Sequence, residues 1–415
     1  MPYVELKKLH YIDSEEYAKE YLSRFASEEA VKLDFYIKEK QAFFLLNAEV
    51  MRLAYKIARV DKQIGELCAE LPGVAINQYS KKCLIDEIVI TNKIEGVHSS
   101  RKEIGEALDI LEKQSDSKGK HARFLSLVNK YLKLSKQNEI PLHKCQDIRD
   151  IYDEILLKEV ISEDRSNKPD GNIFRRESVS VYSATNKEIH CGMTPESKII
   201  ESMQKALDFL NDDSNDMLFR ICIFHYLFEY IHPFYDGNGR MGRFILSYGI
   251  TKTLEPLVAF RISETIAKNK TAYYKAFETC NDQRNLGDLT PFLLMQLKML
   301  LEAMEDLAIS LYEKWRTWKK YEKAVKVFCN NNQVLRNIYS CLVQAALFSE
   351  NGISMQELQN AISLSCYLVK KYMNQIPSEM IIEKRKGRLK YYSINLEKLN
   401  SVILDNSIET LKNKG

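Results

Sequence analysis

From Ser14 to Leu71 apolar and charged residues mix at helical spacing, and Leu71-Pro72-Gly73 ends the block. A second amphipathic segment runs from Ser80 to Glu95. Its residues Leu84, Ile85, Ile88 and Val89 recur on one helix face, and Gly96 stands where a C-terminal cap belongs. Ser99-Ser100-Arg101-Lys102-Glu103 then restarts a helix with a serine cap and an acid close behind it. After a turn-rich loop at 162–172 the pattern changes. Apolar and polar residues alternate from Phe174 to Ser183, and Glu188 to Cys191 is a second extended piece beyond a turn at 184–187. Together they predict one small hairpin, the only β element expected before the C-terminal region. Helices resume at Pro195 and run to about Val325, broken near residue 237 and at Gly287-Asp288-Leu289-Thr290-Pro291.

The last segment follows another pattern. A helix from Val334 to Leu347 precedes Gly352, a capped short helix starts at Ser354, and another helix runs from Ser365 to Ile376. Residues 380–394 then read as two strands around Lys386-Gly387. Helix, helix, helix, hairpin is the order of a winged helix-turn-helix.

Composition supports a mostly helical chain. Among 415 residues there are 15 Gly and 9 Pro, about half or less of the usual shares of roughly 7% and 5%. Turns and hairpins use these residues most, so an all-β or low-complexity chain is excluded. Lys+Arg is 60 and Asp+Glu 57, for a net charge of +3, which gives no electrostatic argument for nucleic-acid binding by the whole chain. The longest apolar run, Met217 to Ile231, contains Arg220, His225 and Glu229. It is too short and polar to span a bilayer. Nine cysteines lie scattered without a CxxC pair, the pattern of a reduced, cytoplasmic protein without structural zinc.

The candidate chemistry lies in His232-Pro233-Phe234-Tyr235-Asp236-Gly237-Asn238-Gly239-Arg240-Met241-Gly242-Arg243. Gly237 to Gly242 matches GxGxxG, but no strand precedes it and no βαβ unit surrounds it, so the dinucleotide reading fails. The residue before a proline avoids helical angles, so the apolar helix ends near His232. Gly237, Asn238 and Gly239 permit a backbone nest for an anion at the start of a new helix near Arg240. Arg240 and Arg243 share a helix face and suit a polyphosphate. Asp236 offers a hard oxygen for Mg²⁺, and His232 is the group suited to proton transfer. Together these residues predict a nucleotide-triphosphate site with a general base. His225 lies about 10 Å of helix rise from His232, too far to share one ion, and is expected to pack.

This stretch resembles the Fic-domain signature H-x-F-x-(D/E)-G-N-G-R-x-x-R at every fixed position. The resemblance extends over roughly 80–305. Asp170-Gly171-Asn172-Ile173-Phe174-Arg175 is similar to the segment before the family's flap hairpin, and Gly287-Asp288-Leu289-Thr290 to its closing helix start. It implies a mainly α, Fic-type helical bundle with a β-hairpin flap, followed by the winged helix-turn-helix. It also implies transfer of AMP from ATP to a Ser, Thr or Tyr hydroxyl of a target protein. Carried over, His232 is the catalytic base, Asp236 holds Mg²⁺, and Gly237, Asn238 and Gly239 cradle phosphate. Arg240 and Arg243 bind the β- and γ-phosphates, Phe234 anchors the loop in the core, and Tyr273 and Tyr274 lie near the adenine. The flap at 175–190 docks the target by strand addition. Thr91-Asn92-Lys93-Ile94-Glu95-Gly96 is similar to the inhibitory motif (S/T)-x-x-x-E-(G/N), in which Glu95 pairs with Arg243 and displaces the γ-phosphate.

The implied division is 1–135 as a helical region holding the inhibitory helix at about 80–96, 136–325 as the catalytic domain, and 326–415 as the winged helix. Lys370 and Lys371, with Lys384, Arg385, Lys386, Arg388 and Lys390 of the wing, suit DNA phosphates, and a protein contact there stays open. Removal of AMP, transfer of another nucleotide or phosphate group, and a nucleotide-responsive DNA-binding regulator are the alternatives. Self-modification and homodimer formation stay open too, and no membrane partner is expected.

Overall fold

The computed structural model describes residues 3–113, 124–182, 188–329, 332–386 and 389–402. The chain is mainly α. In order, it runs α1 (Leu6–Ile12), α2 (Ser14–Ala26), β1 (Ala30–Ile37), β2 (Lys40–Leu45), α3 (Ala48–Glu70), α4 (Gly73–Ile94) and α5 (Arg101–Lys113). Then come α6 (Leu125–Ser135), α7 (Cys145–Tyr152), α8 (Lys158–Glu163), β3 (Ser180–Tyr182) and β4 (Glu188–Cys191). These are followed by α9 (Glu196–Asn211), α10 (Met217–Ile231), α11 (Asn238–Thr251), α12 (Ile262–Lys268), α13 (Lys270–Asn281) and α14 (Thr290–Phe328). The chain continues through α15 (Gln333–Phe348), β5 (Ile353–Ser354), α16 (Met355–Ile362), α17 (Cys366–Met373), β6 (Ile381–Lys386) and β7 (Leu389–Ile394). It divides into two compact units: Met1–Lys62 with Leu84–Glu305, and Gln63–Cys83 with Asp306–Gly415.

The first unit is built around α10. Twelve of its fifteen residues are buried, as expected of a helix that is apolar on all sides. It packs against α9 on one side and α11 on another. Helix α4 ends as the pattern predicts, at Gly96 with φ +77°, but it begins at Gly73 and not at Ser80. Ser100 and Glu103 form the expected reciprocal cap before α5, Ser100 N–H donating to Glu103 at 2.8 Å and Glu103 N–H to Ser100 Oγ at 3.2 Å. No described helix is long and apolar enough to cross a membrane.

One expectation fails. Residues 30–45 fall in a block read as helix, yet they form the antiparallel hairpin β1–β2, so the flap hairpin is not the first β element. Leu33, Phe35 and Ile37 are buried with exposed neighbours between them, a period of two hidden among charged residues. The turn carries no glycine. Lys38 adopts φ +56°, and the Tyr230 hydroxyl accepts a hydrogen bond from its N–H at 3.0 Å. The other edge is tied as well: Phe43 N–H donates to Gly287 O at 3.1 Å and Leu289 N–H to Phe43 O at 2.7 Å.

The predicted flap is shorter than its alternating pattern. β3 begins only at Ser180, because Phe174 and Arg175 are buried in the unit beneath it. The predicted turn at 184–187 lies outside the described residues.

The second unit places α15 and α16 against a three-stranded sheet of order β5-β7-β6, and α17 packs on α15 and α16. Ser354 and Glu357 form a capping box at the start of α16, and Ser365 caps α17. Gly387 and Arg388 at the expected wing tip lie outside the described residues.

Candidate active site

The site grows from the junction of α10 and α11. Pro233 cannot continue α10, and His232 closes it in the left-handed conformation, φ +53°. Phe234 turns into the core, stacked on Tyr152 at 3.7 Å between ring centroids and edge-on to Phe174 at 5.6 Å. Asn238 braces the loop from within. Its Oδ1 accepts from Phe234 N–H at 3.0 Å and its Nδ2 donates to Phe234 O at 2.8 Å. Its side chain therefore holds the loop's shape, while Gly237 at φ +82° starts α11. A Cβ on Gly237 would lie 3.2 Å from Leu156 in addition to needing that φ. Tyr152 donates to Asp236 O at 3.0 Å.

His232 faces the site with a depressed pKa. Burial, with His190 and Arg175 adding positive charge nearby, lowers it to about 4, so the imidazole is neutral near pH 7. Its Nδ1 lies 3.4 Å from Glu229 O and 4.0 Å from the Glu229 carboxylate. Burial pushes Glu229 up to about 8, against the lowering effect of Arg243, and its Oε1 has no hydrogen-bond partner among the described residues. In the sequence Glu229 stands out as a charge within an apolar run. Its one further signal is the i, i+3 spacing to His232 on the last turn of α10.

Arg175 acts as a structural clamp that no local pattern announces. Fully buried, its Nε donates to His232 O at 2.9 Å and its Nη2 to Met193 O at 2.8 Å. It thus joins the loop after α10 to the foot of β4. Gly192 packs on this guanidinium so closely that a Cβ there would collide with it. The segment before the flap wraps Glu196, whose carboxylate accepts from the N–H groups of Asn172, Ile173 and Phe174 at 2.8–3.0 Å.

The two arginines of the motif meet different elements. Arg240 and Glu159 of α8 form an ion pair at 3.2 Å, both side chains 2% exposed. The Nε and Nη2 donors of Arg240 have no partner among the described residues. Arg243 faces α4. Its Nε donates to Thr91 Oγ1 at 2.8 Å, its Nη2 to Thr91 O at 3.2 Å, and Nη2 also meets Glu95 Oε1 at 2.7 Å. Burial favours the neutral form of Glu95, but the charge and hydrogen bond of Arg243 outweigh it and hold the carboxyl below its usual pKa. Glu95 also lies against Gly239, where a Cβ would collide with Oε1. One turn and two turns earlier on α4 lie Thr91 and Glu87. Glu87 accepts from Ser263 N–H at 3.0 Å and Ser263 Oγ at 2.5 Å. Glu87, Thr91 and Glu95 thus form one stripe along α4 facing this centre.

His225 packs as expected: Nε2 lies 2.7 Å from Tyr273 Oη, and both are buried. Tyr273 is thereby committed to the core of the unit, and Tyr274 beside it stays 37% exposed. Asp236 accepts from Gly237 N–H at 2.6 Å. No cluster of three or more His, Cys, Asp or Glu able to hold a metal occurs among the described residues. Asp236 alone therefore suits Mg²⁺ only where phosphate oxygens complete the shell.

Residues 142–248 match the model of the Fic/DOC family. Protein adenylyltransferase fic-1 of Caenorhabditis elegans is 33% identical over 97 residues, 23% of this chain and 17% of that protein. A probable protein adenylyltransferase of Aquifex aeolicus is 46% identical over 54 residues, 13% of this chain and 17% of the relative. The chain thus spans 17% of the length of these curated relatives. Among solved structures, a Fic family protein from Desulfovibrio desulfuricans aligns with 82% of this chain and 96% of its own, at 20% identity and a TM-score of 0.47. A fragment of Fic-1 from C. elegans aligns with 63% of this chain and 74% of its own, at 23% identity and a TM-score of 0.42. With the match running from α7's approach through the motif to Tyr248 of α11, the chain carries a Fic/DOC-family domain.

Proposed function

We propose that this protein is a protein adenylyltransferase, moving AMP from ATP to a side-chain hydroxyl of a target protein and held in check by Glu95. The observation that carries the reading is the pair of buried guanidiniums at the N-terminus of α11. Arg240 keeps two donors without partners, and Arg243 is occupied by a carboxylate from another helix. Buried donors without partners are costly, and a polyphosphate beside a helix N-terminus satisfies them. The relatives with matching sequence bear the same activity in their names.

In this reading neutral His232 takes the proton of the acceptor hydroxyl. The hydroxyl oxygen bonds to the α-phosphorus of ATP, the bond to the β-phosphate oxygen breaks, and pyrophosphate leaves. The Gly237–Gly239 backbone and Arg240 orient the phosphates, with Asp236 holding Mg²⁺, which would neutralise phosphate charge. Glu95 competes with the γ-phosphate for Arg243. The β3–β4 hairpin offers its edge to the target segment.

The test is label transfer. With ATP labelled at the α-phosphate, Glu95→Gly labels protein far faster than wild type, and Glu95→Gly with His232→Ala does not. Mass spectrometry of the product reads the mass added and the acceptor residue. Absence of transfer by Glu95→Gly with every nucleotide tried would sink the reading. Release of AMP from a modified protein that depends on Glu95 would instead make Glu95 the group aligning water for removal.

For the second unit we propose a winged helix that contacts DNA. The order α15, α16, α17, β6, β7 supports it, as do the exposed Tyr367 of α17 and the lysines Lys370 and Lys371 beside it. Binding of duplex DNA by the full chain, weakened by Lys370→Glu with Lys371→Glu, is the expected result.

A further inference from the structure

A groove of about 320 Å³ opens in the first unit beside the flap. Its walls are the turn of β1–β2, the residues just after β4 and the first turns of α9. It is linked to His232 through the end of α10. Tyr230, on its floor, lies two residues before His232, and Met193 N–H donates to Ile231 O at 3.1 Å. Nothing in the adenylyl-transfer chemistry uses this groove.

Two lysines line it in places where local rules disfavour them. Lys38 holds the left-handed turn position, φ +56°, which a glycine or asparagine adopts at far less cost. The Tyr230 hydroxyl pins its N–H there. Lys198 sits in the first turn of α9, where a cation opposes the helix dipole. Neither ammonium makes an ion pair among the described residues, whereas Lys205, deeper along the groove, is shared between Asp34 and Glu201 at 3.4 Å each. Residues that break local rules are candidates for functional positions, and the hydrogen bond to Tyr230 fixes the backbone of Lys38 without calling for a lysine side chain. Here both breaches put unpaired positive charge on one groove, with the half-exposed ring of Tyr36 at its rim.

We propose that this groove is a specificity subsite that takes an acidic side chain of the target polypeptide, a few residues from the acceptor hydroxyl. The inference rests on the adenylyl-transfer reading for its biological meaning. Its physical content is the recognition of a carboxylate by Lys38 and Lys198. The groove's size suits one or two side chains and not a folded domain.

The test uses the full chain and two fluorescein-labelled peptides, alike in a central serine but flanked by Asp in one and by Lys in the other. Anisotropy titrations need no catalysis. Wild type binds the Asp peptide about fivefold or more tightly than the Lys peptide, and salt erodes the difference. Lys38→Glu with Lys198→Glu inverts the preference. Lys198→Glu alone, on an exposed helix surface, weakens it without touching the strained turn, and thermal melting confirms that each variant is folded. The same peptides are then offered to Glu95→Gly with labelled ATP. Transfer without a charge preference overturns the subsite and leaves adenylyl transfer standing. Charge-selective binding leaves the subsite standing whatever the transfer result, and adenylyl transfer falls only if Glu95→Gly also labels no protein with any nucleotide. Equal binding of the two peptides, or a preference unmoved by the lysine reversals, overturns the subsite. So does equal binding of a single-stranded oligonucleotide of matching charge, because the lysines then attract any polyanion.

Discussion

Arg240 and Arg243 stand one helical turn apart on α11, both nearly closed off from water, and each meets a glutamate from a distant part of the chain. Their partners differ. Glu159 is as buried as Arg240, 2% exposed. Glu95 is 31% exposed at the end of α4, one residue before a left-handed glycine. A charge pair sealed on both sides cannot separate without stranding an ion in the interior. A pair with one member at a solvent-facing helix end can exchange, because the departing carboxylate regains water while an incoming anion takes its place on Arg243, which is itself 1% exposed. In the function proposed above, the same guanidinium chemistry serves as a permanent brace at Arg240 and as a releasable latch at Arg243.

The strongest way to break this contrast is through Glu159. Glu159→Gln leaves Arg240 buried without its counter-charge, and the cost is about 3–5 kcal/mol. Thermal melting should show the first unit's transition falling on the order of 10 °C. A fall of only a degree or two would mean that the brace is no more permanent than the latch.

Glu95→Gly should do the reverse. Its melting temperature falls less than that of Glu159→Gln, because the space left by the 31% exposed Glu95 admits water to Arg243, which is itself only 1% exposed. Its rate of AMP transfer rises roughly tenfold or more, equivalent to about 1.4 kcal/mol of removed competition for Arg243. A large loss of stability without a gain in rate would make Glu95 a structural brace too.

Thr91→Val sharpens the latch further. It removes the Oγ1 acceptor of Arg243 Nε but keeps the volume, so the latch loosens by about 1 kcal/mol. The expected gain in transfer is several-fold, smaller than for Glu95→Gly, and the two changes should be less than additive because they act on one guanidinium.

The smallest effect concerns pH. His232 must be neutral to accept a proton, and its folded pKa is lowered to about 4. The base form therefore persists as pH falls through 6.5, where an unperturbed histidine is half protonated. Transfer by Glu95→Gly should stay nearly level from pH 8 to pH 6, with its acid limb below that. A limb centred at 6.5 or above would show that the burial around His232 does not set its proton affinity.

The motif from His232 to Arg243 was legible because its constraints are local. Pro233 stops a helix, Gly237 takes a positive φ, and Asn238 reaches back four residues to its own loop. The chemistry-bearing residues could be named from their spacing alone. The partners could not. Nothing near Arg240 in the chain announces Glu159, and Arg175 reads as one more charged residue until it is seen bonded to His232 O and Met193 O. Glu95 and Arg243 were paired by resemblance, and the tertiary structure sets their contact at 2.7 Å.

The clearest division is between the two hairpins. Alternation marked the flap, although burial of Phe174 and Arg175 shortened it. The hairpin at 30–45 was invisible, because its alternation runs through charged residues and its turn has neither glycine, proline nor asparagine. Its left-handed Lys38 is held by Tyr230, which is 192 residues away, and its far edge by the backbone at Gly287 and Leu289. The sequence by itself determined the helical character and the conformation of the loop from His232 to Arg243, since those follow from short-range backbone preference and side-chain chemistry. Only the tertiary structure decided which buried charges pair, which helix end meets Arg243 and where the first hairpin forms. Those outcomes depend on hydrogen bonds and desolvation between segments far apart in the chain, and no local pattern carries them.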